Sequence, residues 1–484
     1  MTDPTPPRWR TALWRGETAP IPVVRTPTRA VYPRRRPGED TELAAVDHGV
    51  TLTLRVGTLL LSGGAPTEDV EAAMFAVGTA VGLDNFEVDI TYGSIIISVP
   101  PTGERPGITD ARVVRGRSTH YAKVAAAHRL VLDLSEGRLA PQDVESRLDA
   151  IEHLRRPYPR WFVVMAFGAL SAAITVQLGG NARTAVLAFL TASATGFVGN
   201  RMAQRKVPVF FINMTVAFAS VAIVVGITAL EPDDGTWRIR TSLVIVGGII
   251  ALLPGMSLMV AAQEAIGSFA VTAAGRIVEL TFATIGIVSG VLLGLTLADN
   301  RGITLSPTVN LKASASVVVI AVLAAAVAAA AAALTYQSPW RLAVVGGLVA
   351  GLGILIFAGM EQVVAPNSED LIARSPGAAA AATAVPAIAI GFASRWFGVR
   401  LKVPPVLVTV PGIVPLLPGL AVYQGLLSLS ENDPQTGLQS LVRAIAIAIA
   451  LAAGVLLGQL LAGRLMRGGL PQVIPPRDVT RRGR

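Results

Sequence analysis

The 484-residue chain is 52% hydrophobic and only 15% charged, with a mean hydropathy of +0.57, which excludes an ordinary soluble enzyme. The formal net charge of +9 sits mostly in short loops and the two ends, so it speaks of membrane topology and against nucleic acid as a partner. With no cysteine, the chain offers no disulfide, thiol nucleophile or thiolate metal site.

Residues 1–45 are rich in Pro, Arg and Thr and lack the apolar core of a signal peptide, so a disordered basic tail is expected. Residues 46–156 read as a small α+β cytoplasmic domain. A helix with an apolar stripe ends at Gly63 and Gly64, and Thr67 is the expected N-cap of the next helix, with Glu68, Asp69 and Glu71 in its first turn. FEVDITY and SIIISVP read as adjacent strands, ARVVRG as a third, and helices follow over about 121–136 and 141–154. His48, His120, His128 and His153 show no zinc-ligand spacing, and no phosphate-binding glycine loop or nucleophile elbow is present. A regulatory or gating role is therefore expected for this domain rather than catalysis, with no catalytic or metal residues and no cofactor.

From residue 157 the chain reads as membrane-embedded, with a first half at 157–300, a second at 301–465 and a basic cytoplasmic tail at 466–484. Ten spans are expected, roughly 162–178, 184–200, 207–230, 241–262, 271–297, 316–336, 341–360, 377–397, 404–428 and 439–463, each near the ~20 residues a bilayer core requires. Arg201, Arg205, Lys206, Arg395, Arg400, Lys402, Arg464 and Arg467 fall on one side; the acidic loops at 231–234 and 430–433 fall on the other. Arg301 and Lys312 depart from this pattern. The asymmetry and an even span count put both termini in the cytoplasm of a multi-pass plasma (inner) membrane protein.

Two spans carry the same break. Leu252-Leu253-Pro254-Gly255 recurs as Leu416-Leu417-Pro418-Gly419, and Gly290-Val-Leu-Leu-Gly294 recurs as Gly454-Val-Leu-Leu-Gly458, both 164 residues later. Five spans separate the copies, so they cross in opposite senses. The expected fold is a polytopic α-helical membrane protein of two inverted halves, the architecture of many secondary transporters. No GxxxxGK[ST] motif is present, so the driving energy is expected from an ion gradient or a partner.

The stretches LLLSGGAPTEDVEAAM at 59–74, VGLDNFEV, ITYGSIIISV and SEGRLAPQDVESRLDAIE at 135–152 resemble the bacterial threonine/serine exporters, as do the two spans containing Pro-Gly. The resemblance covers about residues 45–465 in the same order. It implies export of threonine, serine or similar small amino acids driven by the proton motive force, with protons and the lipid bilayer as partners. Some members divide the two halves between separate chains, and a homo-oligomer is compatible with such a carrier. Composition and spacing leave open an exporter of another small solute, such as a dipeptide or other amino acid, and a membrane-anchored enzyme or sensor using the soluble domain.

A zwitterionic hydroxy-amino acid needs a partner for its ammonium, for which Glu264 and Glu279 are the embedded candidates. Its carboxylate can use free amides at the helix breaks, Pro254 with Gly255 and Pro418 with Gly419, or the guanidinium of Arg276 or Arg443. Asn213 and Gln424 are candidates for the hydroxyl, or they only bond neighbouring helices. Glu279, expected to be the coupling carboxylate, lies one turn from Arg276 and can pair with it. The repeat offset sets Glu279 against Arg443; a three-residue gap would set Arg276 there instead. Glu264 is expected nearer the cytoplasmic end, within reach of water.

The absence of native cysteines makes the topology directly testable. In intact cells an impermeant thiol reagent should label Asp233→Cys and spare Gln204→Cys; the reverse pattern would invert the topology.

Overall fold

The computed structural model describes residues 39–101, 106–114, 120–229, 241–252, 255–299, 315–364, 375–430 and 433–466. The acidic loop at 231–234, Pro254, Arg301, Lys312 and nearly all of both tails lie outside the described residues. Residues up to Ala45 belong to one compact unit and Val46 onward to a second, which holds the sheet and the membrane helices.

Helix α1 (Glu39–Ser62) stops where Gly64 takes a φ of +90°, a conformation that side chains with a Cβ resist. Helix α2 (Thr67–Ala80) follows, with Pro66 at its N-cap position. Thr67 is thus the first helical residue rather than the cap. Strands β1 (Glu87–Ile90), β2 (Ser94–Val99) and β3 (Ile108–Val113) form an antiparallel meander with β2 in the centre. Ile95 pairs with Ile90 and Ile97 with Val88, and the period-two alternation turns both central isoleucines into the core. The third strand begins three residues before the expected segment. Helix α3 (Tyr121–Ser135) is capped by His120, which accepts from the Lys123 amide, and α4 (Val144–Glu152) follows a 3-10 turn at Pro141–Asp143.

The first membrane half comprises α5 (Arg160–Gln177), α6 (Ala182–Gln204), α7 (Val209–Thr228), the paired short helices α8 (Thr241–Leu252) and α9 (Gly255–Ile266), and α10 (Ala270–Asp299). The second comprises α11 (Ala315–Thr335), α12 (Trp340–Val364), α13 (Pro376–Leu401), the paired α14 (Val406–Ile413) and α15 (Gly419–Ser430), and α16 (Pro434–Leu465). Among the described residues eight helices are long and apolar enough to cross a membrane, and α14 with α15, bent by 44°, is either a ninth, broken span or a re-entrant pair. The fourth expected span, 241–262, falls on the α8–α9 pair, whose junction at 253–254 lies outside the described residues.

The repeat is visible in the elements themselves. Leu252 ends α8 and Leu416 ends the 3-10 turn after α14, while Gly255 and Gly419 each open the next helix. Residues 243–248 and 406–413 are buried on every side, as expected for helices in the middle of a bundle. Pairings recur too: α7 packs along α10 as α13 packs along α16, and α5 on α6 as α11 on α12. In α10, Gly290 lies against the Met214 carbonyl of α7. In α16, its counterpart Gly454, 164 residues later, lies against the Ala384 carbonyl of α13, and Gly458, the counterpart of Gly294, lies against the Ile388 carbonyl of the same helix. Small residues let these helix backbones touch.

The two halves run in opposite senses relative to the α+β layer. The first broken pair reaches the layer with its last turn, at Glu264, whereas the second starts beside it, at Val406. Exposed Trp161, Trp340 and Trp396 mark this same end of the helices, with Arg341 and Arg400 over two of the rings. Apolar side chains such as Val344, Leu348, Leu352 and Leu355 of α12 form an outward stripe suited to lipid.

A Cβ built on Gly458 would lie 2.1 Å from the Ile388 carbonyl oxygen, and one on Gly290 would lie 2.2 Å from that of Met214. Backbone cannot step aside cheaply. Gly458→Val and Gly290→Val should each destabilise the protein by at least the ~1–3 kcal/mol of ordinary overpacking, read as a lowered unfolding midpoint in detergent. Gly463→Val, where nothing lies within 4 Å, is the control.

Candidate functional site

The turn between α9 and α10 places two charges together. Glu264, in the last turn of α9, is 2% exposed, and Arg276, in the second turn of α10, is 4% exposed. Arg276 donates from Nε to Glu264 Oε2 at 2.6 Å, and Thr67 of the α+β layer donates its hydroxyl to Glu264 Oε1 at 2.8 Å. Both carboxylate oxygens are thus engaged, and the carboxylate sits at the start of α2, where a helix dipole favours negative charge. Nη2 of Arg276 is buried and has no hydrogen-bond partner among the described residues. A buried guanidinium with a spare donor is a ready receptor for a second anionic oxygen.

One position corrects an expectation: Glu264, expected within reach of water, is the buried carboxylate, because the α+β layer covers that end of α9. Glu279 lies at the protein surface of α10 beside the outward-facing Ile277, Val278 and Phe282, and accepts from the Tyr92 hydroxyl at 2.5 Å. Nε of Arg276 goes across the interhelical turn to Glu264 rather than one turn along its own helix.

At the other end of the molecule the second half makes an analogous bridge: Arg443 of α16 donates to Gln424 of α15 at 2.7 Å. Asn213 donates to the Ala283 carbonyl at 3.2 Å, tying α7 to α10. Gly255 and Gly419 open α9 and α15 as the breaks require, Pro418 precedes the second, and Pro254 lies outside the described residues. Gln177 of α5 donates to the Pro415 carbonyl at 3.0 Å and so satisfies a backbone group at the second break.

Sequence reasoning missed Thr67 as a ligand of Glu264, Tyr92, Gln177 and a titratable group at the layer's face. Asp69 is enclosed by protein although it keeps some accessible surface, and burial, reinforced by Glu68 and opposed by Arg395, raises its pKa to about 6. Burial lowers that of His128 to about 4, with Arg395 and Arg129 adding to the effect. None of these carries a periodic signal, because each depends on how the layer meets the membrane helices. Among the described residues no group of three or more His, Asp or Glu could hold a metal.

Two inverted halves with paired short helices define a polytopic helical membrane protein of the carrier type. Residues 51–298 match the family model described as "Putative threonine/serine exporter" and residues 321–461 the one described as "Threonine/Serine exporter, ThrE". The chain belongs to the threonine/serine exporter family, and the two matches divide it between α10 and α11. It is 31% identical over 469 residues to a "Probable threonine/serine exporter" of Mycobacterium tuberculosis, covering 95% of this chain and 84% of that one. It is 30% identical over 447 residues to a "Threonine/serine exporter" of Corynebacterium glutamicum, covering 91% and 87%. A "Probable succinate transporter subunit YjjP" of Escherichia coli is 25% identical over 251 residues, 52% of this chain and 95% of that one. No solved structure matches the chain.

Asp69 and His128 should give opposing pH slopes. Asp69 binds protons more readily folded than unfolded, so its contribution to stability is lost as pH rises from about 4 through about 6. His128 binds them less readily folded, so its contribution is lost as pH falls from about 6.5 through about 4. Asp69→Asn should therefore leave stability rising with pH across this window, and His128→Gln should leave it falling, with wild type flatter than either. Unfolding midpoints between pH 4 and 7 check the signs.

Proposed function

We propose that the protein is a secondary transporter that exports threonine, serine or similar small amino acids, driven by the proton motive force. The α+β layer and both termini lie in the cytoplasm and the helices cross the plasma membrane. The observation that carries this reading is the buried Glu264–Arg276 pair beside a broken helix, in a chain of this family. An amino-acid zwitterion offers the same two charges in reverse. Its carboxylate can take the spare Nη2 of Arg276 and its ammonium can take Glu264, so the pair opens without leaving a charge uncompensated. That matters because stripping one partner from a buried pair costs about 3–5 kcal/mol. A proton on Glu264 would likewise release Arg276, which gives solute and proton a shared carboxylate. Sidedness rests on Arg160, Arg201, Arg205, Lys206, Arg400, Lys402 and Arg464, all at the helix ends near the layer.

A dicarboxylate, suggested by the name of the Escherichia coli relative, could use Arg276 but would set its second carboxylate against Glu264. Efflux of labelled threonine and serine from preloaded vesicles, with succinate and a dipeptide as competitors, separates these readings. Threonine and serine should leave with a proton gradient, and Glu264→Gln should lower gradient-driven efflux at least about tenfold with membrane insertion intact, one ~1.4 kcal/mol step in the barrier. Succinate efflux without threonine efflux would overturn the substrate, and a fully active Glu264→Gln would overturn the site.

A further inference from the structure

The α+β layer touches the two membrane halves in physically different ways. Against the second half its core does not end: Leu342 of α12 and Val403, Val406, Leu407 and Val410 around α14 are buried in one cluster with Leu54, Ile97 and Leu148. Main chain joins main chain there as well. The amides of Tyr121 and Ala122 donate to the carbonyls of Tyr336 and Gln337, the rings of Tyr121 and Tyr336 lie 5.4 Å apart, and Lys402 pairs with Glu136. Even the segment leading into α5 is held from that side, because the Gln337 side chain bonds both the amide and the carbonyl of Tyr158.

Against the first half, none of α5–α10 joins that cluster among the described residues. The contacts there are polar side chains on charged or polar groups: Thr67 on Glu264, Tyr92 on Glu279, and Thr272 on the Ile90 carbonyl at 3.5 Å, with Gly275 leaving room for the Tyr92 ring. Apolar burial and paired backbone persist through a motion, whereas a single hydroxyl on a carboxylate is readily exchanged for another donor.

We propose that the α+β layer is a rigid extension of the second membrane half and forms the inner gate, with Thr67 and Tyr92 latching it onto α9 and α10. The inference rests on Glu264 lying on the transport route, as proposed above. A proton or an ammonium at Glu264 competes with Thr67, and loss of that bond frees the layer to part from the first half as the halves rock. Thr67 and Tyr92 are then positioning residues, and the layer moves in every cycle.

The naturally cysteine-free full-length chain supplies the test. A Cβ built on Gly275 lies 2.9 Å from that of Tyr92, so a disulfide forms once the two backbones part toward the ~3.8 Å it requires. In Tyr92→Cys/Gly275→Cys, oxidation should lower threonine efflux at least tenfold and reductant should restore it. Glu136→Cys/Lys402→Cys, bridged by a bifunctional thiol reagent, locks the layer to the second half and should leave efflux within twofold of the unbridged protein. Tyr92→Phe should keep insertion and raise labelling of a cysteine at Thr272, buried under the layer and close in size to the threonine it replaces. Undiminished efflux through the oxidised latch pair overturns the gate, as does equal inhibition by both bridges. Loss of efflux in the reduced latch pair is resolved by Tyr92→Phe, whose unchanged Thr272→Cys labelling would also overturn it. Wild type that moves none of these amino acids contradicts the transport reading instead, while solute-independent Thr272→Cys labelling still reports on the latch.

Discussion

Everything near the α9–α10 turn depends on one buried carboxylate. Glu264 is enclosed by protein, and an isolated charge there would be prohibitive, so its neighbourhood is built to answer it. Arg276 supplies the counter-charge from the next helix, Thr67 supplies a hydroxyl from a different layer, and the first turn of α2 supplies a favourable dipole. Two consecutive membrane helices and one helix of the α+β layer, almost two hundred positions earlier, are thereby fixed relative to one another. The short α9 can end where it does because its last turn is received by these partners rather than by lipid.

The second half carries a polar bridge of its own at the opposite end. Arg443 bridges from α16 to Gln424 on α15, where the first half uses Arg276 and Glu264. The duplication therefore preserves backbone architecture more faithfully than chemistry. The glycines that let α10 touch α7 reappear where α16 touches α13, but the charged groups do not map onto one another residue for residue.

Much of this was legible in the sequence. Apolar runs gave the membrane class, the 164-residue echo gave two halves, and Pro-Gly at the same point of each marked the paired short helices, because those signals are local. Helices α1 to α4 and the first two strands followed from capping, glycine and alternation. The third strand was placed late because Ile108 and Thr109 pair with Val99 and Ser98 across a turn whose length the pattern does not reveal. The cover over Glu264 was hidden for a stronger reason. Depth along a helix can be counted, but what covers its end cannot, and here the cover comes from residues almost two hundred positions earlier. Thr67 looked like an N-cap because threonine before an acidic turn usually is one; docking turned its hydroxyl outward to Glu264.

The core shared by the α+β layer and the second half also bears on how the chain is made. The layer's own residues, through Leu148, leave the ribosome first, but the apolar side chains that complete its core come about two hundred residues later, at Leu342, and later still at Val403–Val410. At about 5–20 residues per second that interval is tens of seconds. Throughout it, six membrane segments are made while a half-finished apolar face waits at the membrane surface. Synthesis of the second half is thus the last step in folding the first part of the protein, and a nascent chain halted between α10 and α11 carries an open hydrophobic surface for chaperones to guard.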